Sequence, residues 1–445
     1  MLAMLLFALT IFTSAFLLFL VQPVIAKEIL PWFGGSAAVW TTCLVFFQAA
    51  LLAGYAYADF VVRRASPARQ ALLHSTLLVA SLVVLPIVPG AFWKPTGSEN
   101  PAALILGLLA VTIGLPYFLL STTSPLLQSW FARAYPRRNP YRLFALSNLA
   151  SLVALLAYPF VIEPWIPTRT QAHLWSAGYV LYAALCVAAA WRNRSAGAVS
   201  IAASRPNGRP VPPPSIARQL LWCSLAATGS VLLLSVTTHI TQNVAAVPLL
   251  WVVPLTIYLS TFILCFESNR LYPRETLLPI TAAALGVMAW SLADPSLTHE
   301  LWLQLGVFGV GLFVVCMFCH GELAQSKPAP RYLTRFYLMV SLGGAAGAAL
   351  VGIVAPLVLP AHFELAIGLI AAACLLAWQV RADPLVFGGL ALIAGVATIG
   401  CAIWHVVDFY DSTILTARNF YGVLRVQENG ASDASRHRSL VSGTI

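Results

Sequence analysis

Residues 3–26 read AMLLFALTIFTSAFLLFLVQPVIA and contain no Asp, Glu, Lys or Arg. An ionisable side chain at the centre of a bilayer costs at least ~2.5 kcal/mol, and a helix needs about 20 apolar residues to cross the hydrocarbon core. This stretch therefore predicts a membrane-spanning helix. The first charged residues after it are Lys27 and Glu28, which we expect at its outer end.

The composition of the whole chain agrees with this prediction. Of its 445 residues, 60% are hydrophobic and only 9% are charged, whereas a soluble domain carries roughly 25% charged residues. Water solvates surface charge, but a surface that faces lipid cannot carry it cheaply. These values exclude a soluble enzyme, a nucleic-acid binder and a disordered protein. The lipid bilayer is the expected partner.

Further charge-free intervals predict thirteen helices in all. The interval at residues 219–266 is long enough for two helices. Residues 365–380 form the weakest candidate, because they fall short of the ~20 residues that a span needs. The other intervals lie at residues 3–26, 29–58, 70–93, 101–131, 143–162, 170–191, 276–293, 301–321, 336–363 and 384–407.

The basic residues between the intervals are unevenly distributed. Excluding the C-terminal tail, the even-numbered loops hold 18 Lys and Arg, and the odd-numbered loops hold 3. Cytoplasmic loops of membrane proteins carry an excess of Lys and Arg. We therefore expect a multi-pass protein of the cytoplasmic (inner) membrane with a cytoplasmic N-terminus. Topology then explains the net charge of +10 without an acidic partner.

One long polar interruption, rich in proline and arginine, divides the chain at residues 192–218. It predicts a cytoplasmic linker between an N-terminal six-helix half (residues 1–191) and a C-terminal half of six or seven helices (residues 219–407). An internal repeat supports two halves. Residues 141–151 (YRLFALSNLAS) and 334–344 (TRFYLMVSLGG) both lead from basic and aromatic residues into a run that contains small residues.

A loop motif follows the second predicted helix. Gly54, Asp59, Arg63 and Arg64 resemble the Gly-x3-Asp-Arg/Lys-x-Gly-Arg-Arg/Lys signature of the major facilitator superfamily (MFS). Six plus six spans, a central linker and parallel repeats are also similar to that family. The resemblance implies an all-α polytopic membrane protein, an MFS-like 6+6 helix bundle with one extra span.

After residue 407 the sequence pattern changes from apolar helix to strand formers and turn residues. Residues 418–427 are rich in strand formers, Asn429-Gly430 supplies a turn, and residues 439–445 suit a returning strand. We expect a short β-hairpin.

Three segments resemble bacterial fused MFS/spermidine synthase-like membrane proteins: residues 16–40 (FLLFLVQPVIAKEILPWFGGSAAVW), 319–323 (CHGEL) and 417–426 (ARNFYGVLRV). The resemblance covers the chain as the membrane half of that family. It implies that residues 408–445 begin an incomplete spermidine-synthase-like β-domain. No position matches a nucleotide-binding glycine loop or a catalytic acid, so no transferase activity is expected of this chain alone. No cofactor is expected either, and decarboxylated S-adenosylmethionine becomes relevant only if a complete synthase domain follows.

The topology conflicts with a cytoplasmic synthase. Thirteen spans and a cytoplasmic N-terminus place the tail on the outer side of the membrane. Either one interval, most readily residues 365–380, does not cross, or the appended domain is not a cytoplasmic synthase.

Near the end of the first helix, Gln22, Lys27 and Glu28 are candidates to face a cavity, where the carboxylate would hold a cationic solute or a proton. The alternative is an ion pair at the membrane interface. His239, Gln242 and Asn243 recur at about one turn's spacing at the end of the seventh helix. They suit either a solute site or an interhelical hydrogen-bond cluster.

Residues 316–320 (CMFCH) match the haem attachment pattern Cys-x-x-Cys-His, but haem attachment needs an accessible loop and this stretch is apolar. We therefore expect neither haem nor a metal site. His320 and Glu322 are instead candidates for a proton or cation pair. The alternative is a hydrogen-bonding group at the end of the helix.

Two functions remain open from the sequence. The leading hypothesis is a module that binds or transports a small polar or cationic, polyamine-type solute by alternating access. The alternative is a membrane scaffold that transports nothing and anchors a spermidine-synthase-like aminopropyltransferase domain or subunit.

Overall fold

The fold is described by a computed structural model of the chain. It describes residues 2–34, 37–97, 99–138, 140–194, 212–242, 250–294, 300–411, 413–420, 422–429 and 437–442. Most of the predicted linker, residues 195–211, lies outside this description, and the division of the chain at the linker stays a prediction.

The N-terminal part of the chain forms seven α-helices. Two of them begin at a side-chain cap: the Ser66 hydroxyl accepts a hydrogen bond from the Arg69 N–H (3.4 Å), and the Asn100 carboxamide accepts one from the Ala102 N–H (3.0 Å). In both cases a proline occupies the first helical position, where no N–H is needed. The helices are α1 (Leu2–Ile29), α2 (Ala37–Arg64), α3 (Pro67–Ser81), α4 (Pro101–Thr112), α5 (Gly114–Ala134), α6 (Tyr141–Ala157) and α7 (Thr168–Asn193).

After the linker, eight more helices follow. They are α8 (Ile216–Gln242), α9 (Val252–Glu267), α10 (Arg274–Ala293), α11 (Leu301–Gln325), α12 (Leu333–Ala349), α13 (Ala355–Val358), α14 (Glu364–Val380) and α15 (Leu385–Asp411). The last of these continues four residues beyond the end of its charge-free interval at residue 407.

The prediction of an all-α polytopic membrane protein is confirmed. Within the described residues, ten helices are long and apolar enough to cross a membrane, and the bent pair α4–α5 raises this to eleven. Helices α9 (16 residues) and α14 (17 residues) are shorter apolar helices. Every predicted interval thus contains a helix. Helix α3 and the 3-10 turn that follows it end at Val84 rather than at residue 93, because Pro86 and Pro89 prevent the helix from continuing.

The fourth interval is broken, by 71° between α4 and α5. The break falls at Ile113, whose φ of −129° and ψ of −1° depart from helical geometry. Pro125, by contrast, lies inside α5. The hydroxyls of the neighbouring Ser121 and Thr122 bond to backbone carbonyls of their own helix, at 2.8 and 2.7 Å.

The internal repeat has a structural counterpart. Helices α6 and α12 both have 17 residues, and each continues into a five-residue π-helical segment, Tyr158–Ile162 and Leu350–Val354. A proline, Pro159 or Pro356, lies in or just after each segment. Proline removes a backbone donor, which is one recognised cause of such irregularities. The repeat therefore extends from sequence to backbone geometry.

The chain packs into two compact units. Unit 1 consists of Met1–Gly35, Thr42–Cys223 and Gln325–Ala345, and unit 2 consists of Ser36–Thr41, Ser224–Ala324 and Ala346–Ile445. In unit 1, α1 contacts α5, α6 and α7, and α3 contacts α7. In unit 2, α10, α14 and α15 contact one another.

The tail forms a three-stranded antiparallel sheet, which extends the predicted hairpin by one strand. The strands are β1 (Thr413–Asn419), β2 (Gly422–Asn429) and β3 (His437–Ser442), in the order β1-β2-β3. The chain turns between Asn419 and Gly422, so the segment predicted as one strand supplies parts of two. The predicted turn at Asn429-Gly430 falls between β2 and β3, and residues 430–436 lie outside the described residues.

The sheet is fixed to one end of α14. Arg418 of β1 forms an ion pair with Glu364, the first residue of α14, and donates a hydrogen bond to the Ala361 carbonyl. Just beyond the other end of α14, Asp383 pairs with Arg274. A helix of this length is about 25 Å long, which approaches the ~30 Å of a hydrocarbon core. The sheet and Arg274 therefore lie at opposite ends of α14.

Candidate functional site

The loop motif begins with a close helix contact. Gly54 lies on α2, and a Cβ atom at this position would be 2.6 Å from the Ser121 Cβ and 3.0 Å from the Phe118 carbonyl oxygen of α5. Real Cβ atoms do not approach this closely, so any larger residue would push the two helices apart. Glycine at this position thus permits the packing of α2 against α5.

The motif's carboxylate is buried and bonded. Asp59 is 1% exposed and pairs with Arg63, one turn further along α2. Its other oxygen accepts a hydrogen bond from the Thr334 hydroxyl (2.8 Å), at the start of α12. Arg64 is exposed and covers the Phe60 ring at 5.6 Å. The motif therefore joins the end of α2 to the start of α12 within unit 1.

Neutral hydrogen-bonding groups occupy the interior of unit 1. The Gln22 carboxamide on α1 donates to the Tyr117 hydroxyl on α5 (3.2 Å). The Tyr337 hydroxyl on α12 donates to the Gln128 carboxamide oxygen on α5 (3.0 Å), and the Tyr55 ring lies 6.2 Å from the Tyr337 ring. Sequence reasoning found Gln22 but not Tyr117, Gln128 or Tyr337, because an apolar helix gives no signal for which of its polar side chains face inward.

The predicted group Gln22, Lys27 and Glu28 is not held together by contacts among its members. Lys27 instead pairs with Glu163, beyond the π segment that follows α6, and both side chains are partly exposed. Glu28 is partly exposed and has no hydrogen-bond or ion-pair partner among the described residues. Each of the three thus has separate surroundings.

The predicted group around His239 is only partly described. The His239 ring is half-buried and lies 4.4 Å from the Phe308 ring on α11. Its charge, when protonated, would interact with that of His405 on α15. The Gln242 side chain and Asn243 lie outside the described residues.

The interior of unit 2 contains a fully buried imidazole. His320 on α11 is 0% exposed, and its Nδ1 lies 2.8 Å from the Thr261 hydroxyl on α9. Its ring stacks on Phe262 at 3.7 Å and meets the edge of Tyr258 at 4.7 Å. No hydrogen-bond partner lies near Nε2 among the described residues. At Gly229, a Cβ atom would be 3.4 Å from Nε2, so a larger side chain there would crowd this nitrogen.

The hydrogen bonds of Thr261 identify the tautomer of His320. A threonine hydroxyl carries one proton, and Thr261 donates it to the Tyr258 carbonyl at 2.7 Å. The Thr261 oxygen must then accept the Nδ1–H of His320, which leaves the lone pair on Nε2. In its neutral form His320 therefore carries its proton on Nδ1 and leaves Nε2 as an acceptor without a partner among the described residues, and the Phe262 ring stacks on it.

Glu322, predicted to act with His320, belongs to a separate ion-pair network. It is 6% exposed and accepts hydrogen bonds from the Tyr272 hydroxyl (2.9 Å), from Arg274 Nε (2.7 Å) and from Gln379. Arg274 also binds both oxygens of Asp383, at 2.9 and 2.8 Å. Burial, followed by the adjacent Glu322 carboxylate, raises the pKa of Tyr272 well above its ordinary range, so the phenol keeps its proton and donates it. The network joins α10, α11 and α14.

A second histidine, His74, is also fully buried, and the sequence did not predict it as a site residue. His74 on α3 is 0% exposed, and its ring lies 6.0 Å from the Tyr57 ring and 6.2 Å from the Trp130 ring. Neither ring nitrogen has a hydrogen-bond partner among the described residues. Unlike His320, it has no hydroxyl that fixes its tautomer. Its place in an ordinary helical stretch gave no motif by which to find it.

No group of three or more His, Cys, Asp or Glu side chains within the described part of the chain is placed to hold a metal ion.

No protein-family model and no curated protein matches the sequence. Among solved structures, the human organic anion transporter MFSD10 (TETRAN) is similar at 12% identity and a TM-score of 0.46, over 88% of this chain and 99% of that one. A POT family transporter in complex with 5-aminolevulinic acid is similar at 12% identity and a TM-score of 0.48, over 90% of this chain and 96% of that one. The nucleoside transporter NupG is similar at 13% identity and a TM-score of 0.44, over 89% of this chain and 99% of that one. The likeness concerns the helical fold alone.

Proposed function

We propose that this chain is an MFS-like membrane transporter that moves a small polar or cationic solute by alternating access. The observation that carries the proposal is the Nε2 atom of His320, which is buried in the interior of unit 2 without a partner among the described residues. A buried ionisable group within a membrane span is costly. The hydrogen bond between Nδ1 and Thr261 holds the His320 ring with Nε2 free to accept a proton, whereas the His74 ring has no such contact among the described residues. Imidazole also titrates near physiological pH in water.

The proposed role of His320 is to bind and release one proton during the transport cycle. The proton would bind to Nε2, because Nδ1 already donates to Thr261. The face of Phe262, which stacks on the imidazole, would stabilise the resulting imidazolium. Glu322 is less suited to this role, because three side chains already donate to its carboxylate.

The proposed solute is polar or cationic because of the groups inside unit 1. The carboxamides of Gln22 and Gln128 and the phenols of Tyr117 and Tyr337 are neutral donors and acceptors, and tyrosine rings attract cations. Glu28 offers a carboxylate without a partner among the described residues. A polyamine is the specific candidate, suggested by the resemblance to fused spermidine synthase-like proteins. The proposed setting is the bacterial inner membrane, with the N-terminus in the cytoplasm.

Uptake of labelled spermidine into liposomes tests this proposal. Liposomes with the protein should take up spermidine faster than empty liposomes, and Glu28→Gln should lower the rate because it removes a negative charge. Glu267→Gln is the control, since Glu267 is an exposed carboxylate at the end of α9. Equal uptake by protein-containing and empty liposomes would contradict transport of this solute.

A second candidate function is a membrane scaffold for a spermidine-synthase-like domain. The attachment of the sheet favours it, because the side chains of Arg418 and Glu364 are only 7% and 5% exposed in their ion pair. Such burial holds the sheet in a fixed position on the helices. Under this proposal the protein would show no solute flux, and its removal from cells would lower polyamine synthesis. Decarboxylated S-adenosylmethionine would bind only where a complete synthase domain follows.

A further inference from the structure

A groove lies between α1 and α7 on the surface of unit 1. Its volume is about 360 Å³, within the ~300–1,000 Å³ that ligand pockets usually have. It extends along α1 from Phe12 to Val24 and along α7 from Gln171 to Gly178. From Phe12 to Val24 the helix rises about 18 Å, slightly more than half of a ~30 Å hydrocarbon core. The groove therefore has the length of one leaflet of a bilayer.

The walls of the groove are apolar. Phe16 and Leu20 of α1 line it together with Trp175 of α7. Leu174, which also lines it, is 56% exposed, and Leu181, about two turns further along α7, is 58% exposed. Lipid tails are as apolar as leucine, so this exposed stripe suits the hydrocarbon of the bilayer. A groove of this length and lining fits one acyl chain.

One buried polar atom in the groove lacks a partner. Gln171, in the first turn of α7, is 4% exposed, and its Nε2 donates a hydrogen bond to the Ile166 carbonyl (2.7 Å). Its Oε1 accepts no hydrogen bond from the described residues. An unsatisfied buried acceptor is unfavourable, and a lipid tail cannot donate to it. The groove therefore suits a ligand that combines an acyl chain with a hydrogen-bond donor.

An ion pair lies beside the groove. Lys27 is one turn beyond Val24 on the same face of α1, and it pairs with Glu163, the chain neighbour of the groove residue Ile162. Both side chains of the pair are partly exposed, at 40% and 32%. A positive and a negative charge thus lie together at the end of an apolar span, where lipid headgroups lie. This arrangement is complementary to a zwitterionic headgroup.

We propose that the groove binds one phospholipid whose zwitterionic headgroup also donates hydrogen bonds, with phosphatidylethanolamine as the ligand. Its ammonium pairs with Glu163 and donates to Gln171 Oε1, and its phosphate pairs with Lys27. One acyl chain fills the groove beside Phe16 and Trp175. Phosphatidylcholine has the same charges but no N–H on its headgroup, so it cannot satisfy Gln171. The lipid is a ligand of unit 1 and is independent of any transported solute.

Lipid titration of the delipidated full-length protein in detergent, followed by native mass spectrometry, tests the site. The wild type should bind one phosphatidylethanolamine about tenfold more tightly than phosphatidylcholine, a difference of ~1.4 kcal/mol. Gln171→Leu should bind both lipids with the affinity that the wild type has for phosphatidylcholine, because only the headgroup N–H distinguishes the two lipids. Equal affinities in the wild type, or undiminished discrimination in Gln171→Leu, would overturn the proposal.

Two charge variants and a photoreactive lipid locate the headgroup and the acyl chain. Lys27→Gln should weaken binding of both lipids by about tenfold, since both carry a phosphate. Arg169→Gln is the matched control and should bind like the wild type, because Arg169 is exposed in the first turn of α7 and lies on a different side of that helix from Gln171. Phosphatidylethanolamine with a diazirine in its acyl chain should label residues 12–24 and 171–178. Equal losses in both charge variants, or labelling confined to other helices, would disprove the site.

Discussion

Thr334 donates a 2.8 Å hydrogen bond to the buried carboxylate of Asp59, a residue that precedes it by 275 positions in the chain. Asp59 belongs to the motif that forms the C-terminal end of α2, and Thr334 opens the second copy of the internal repeat. Two features found separately in the sequence therefore meet in one contact. This contact ties α12 to the end of α2 within unit 1.

The first prediction concerns this hydrogen bond. Thr334→Val keeps the shape of the side chain but removes the donor, so one oxygen of a buried carboxylate loses its partner. A hydrogen bond to a charged group contributes about 1.5–3 kcal/mol, and we expect a lower melting temperature in detergent by scanning fluorimetry. Thr76→Val is the control, because Thr76 is exposed and bonds only to the Leu72 carbonyl of its own helix. Equal shifts for both variants would refute the structural role of the contact.

The second prediction concerns Glu322. Glu322→Gln removes the negative charge that accepts hydrogen bonds from Arg274 and Tyr272. Asp383 still pairs with Arg274, but Tyr272 loses its charged acceptor. The expected loss in unfolding free energy is again about 1.5–3 kcal/mol, measured by thermal unfolding in detergent. Glu267→Gln, at an exposed carboxylate, should leave the melting temperature unchanged. A Glu322→Gln protein as stable as the wild type would show that the network does not hold α10, α11 and α14 together.

The third prediction concerns the side of the membrane on which the sheet lies. The sheet contacts Glu364 at one end of α14, whereas Arg381 and Arg274, from the basic loops, lie at the other end. Because basic loops are cytoplasmic, we expect the sheet on the outer side. Alkaline phosphatase fused after Ile445 should be active and a fluorescent protein at the same position should not. The opposite pattern would mean that α14 does not cross, and it would favour a scaffold for a cytosolic synthase.

The fourth prediction concerns pH. Burial, followed by the nearby Arg418 and His239 charges, lowers the pKa of His362 from 6.5 to about 3, and Glu364 lies 3.9 Å from its Nδ1. Between about pH 6.5 and 3, His362 therefore binds a proton in the unfolded chain but not in the folded chain. The stability from this group is complete above pH 6.5 and is lost as the pH falls towards 3. The melting temperature should decline over this window, and less steeply in His362→Asn. Parallel pH profiles would contradict this.

The sequence predicted helices well because charge-free length reports directly on membrane burial. It failed where the deciding force was local. The break in the fourth interval falls at Ile113, directly before Gly114 and three residues before Pro116, which cannot donate a hydrogen bond to the preceding turn, whereas Pro125 lies inside α5. The third helix ends early for a similar reason: Pro86 and Pro89 follow it, although the charge-free interval continues to residue 93.

The candidate site was less accessible to sequence reasoning. His320 and Glu322 are two residues apart and looked like a pair, yet a helix directs such residues to different sides. One therefore faces Thr261 and the other faces Arg274. Lys27 likewise found its partner in Glu163, 136 positions away. Such pairings depend on which helices become neighbours, and composition and spacing do not encode this.

Solute-driven proton movement tests the central claim most directly. Liposomes containing the protein and a trapped pH-sensitive dye are mixed with spermidine at constant external pH, and internal pH is followed over time. The account predicts a pH change in the wild type, a rate lower by about tenfold or more in His320→Gln, and a nearly normal rate in His74→Gln, where an equally buried histidine is removed. Spermidine uptake by the wild type without proton movement, or His320→Gln moving protons at the wild-type rate, would contradict it.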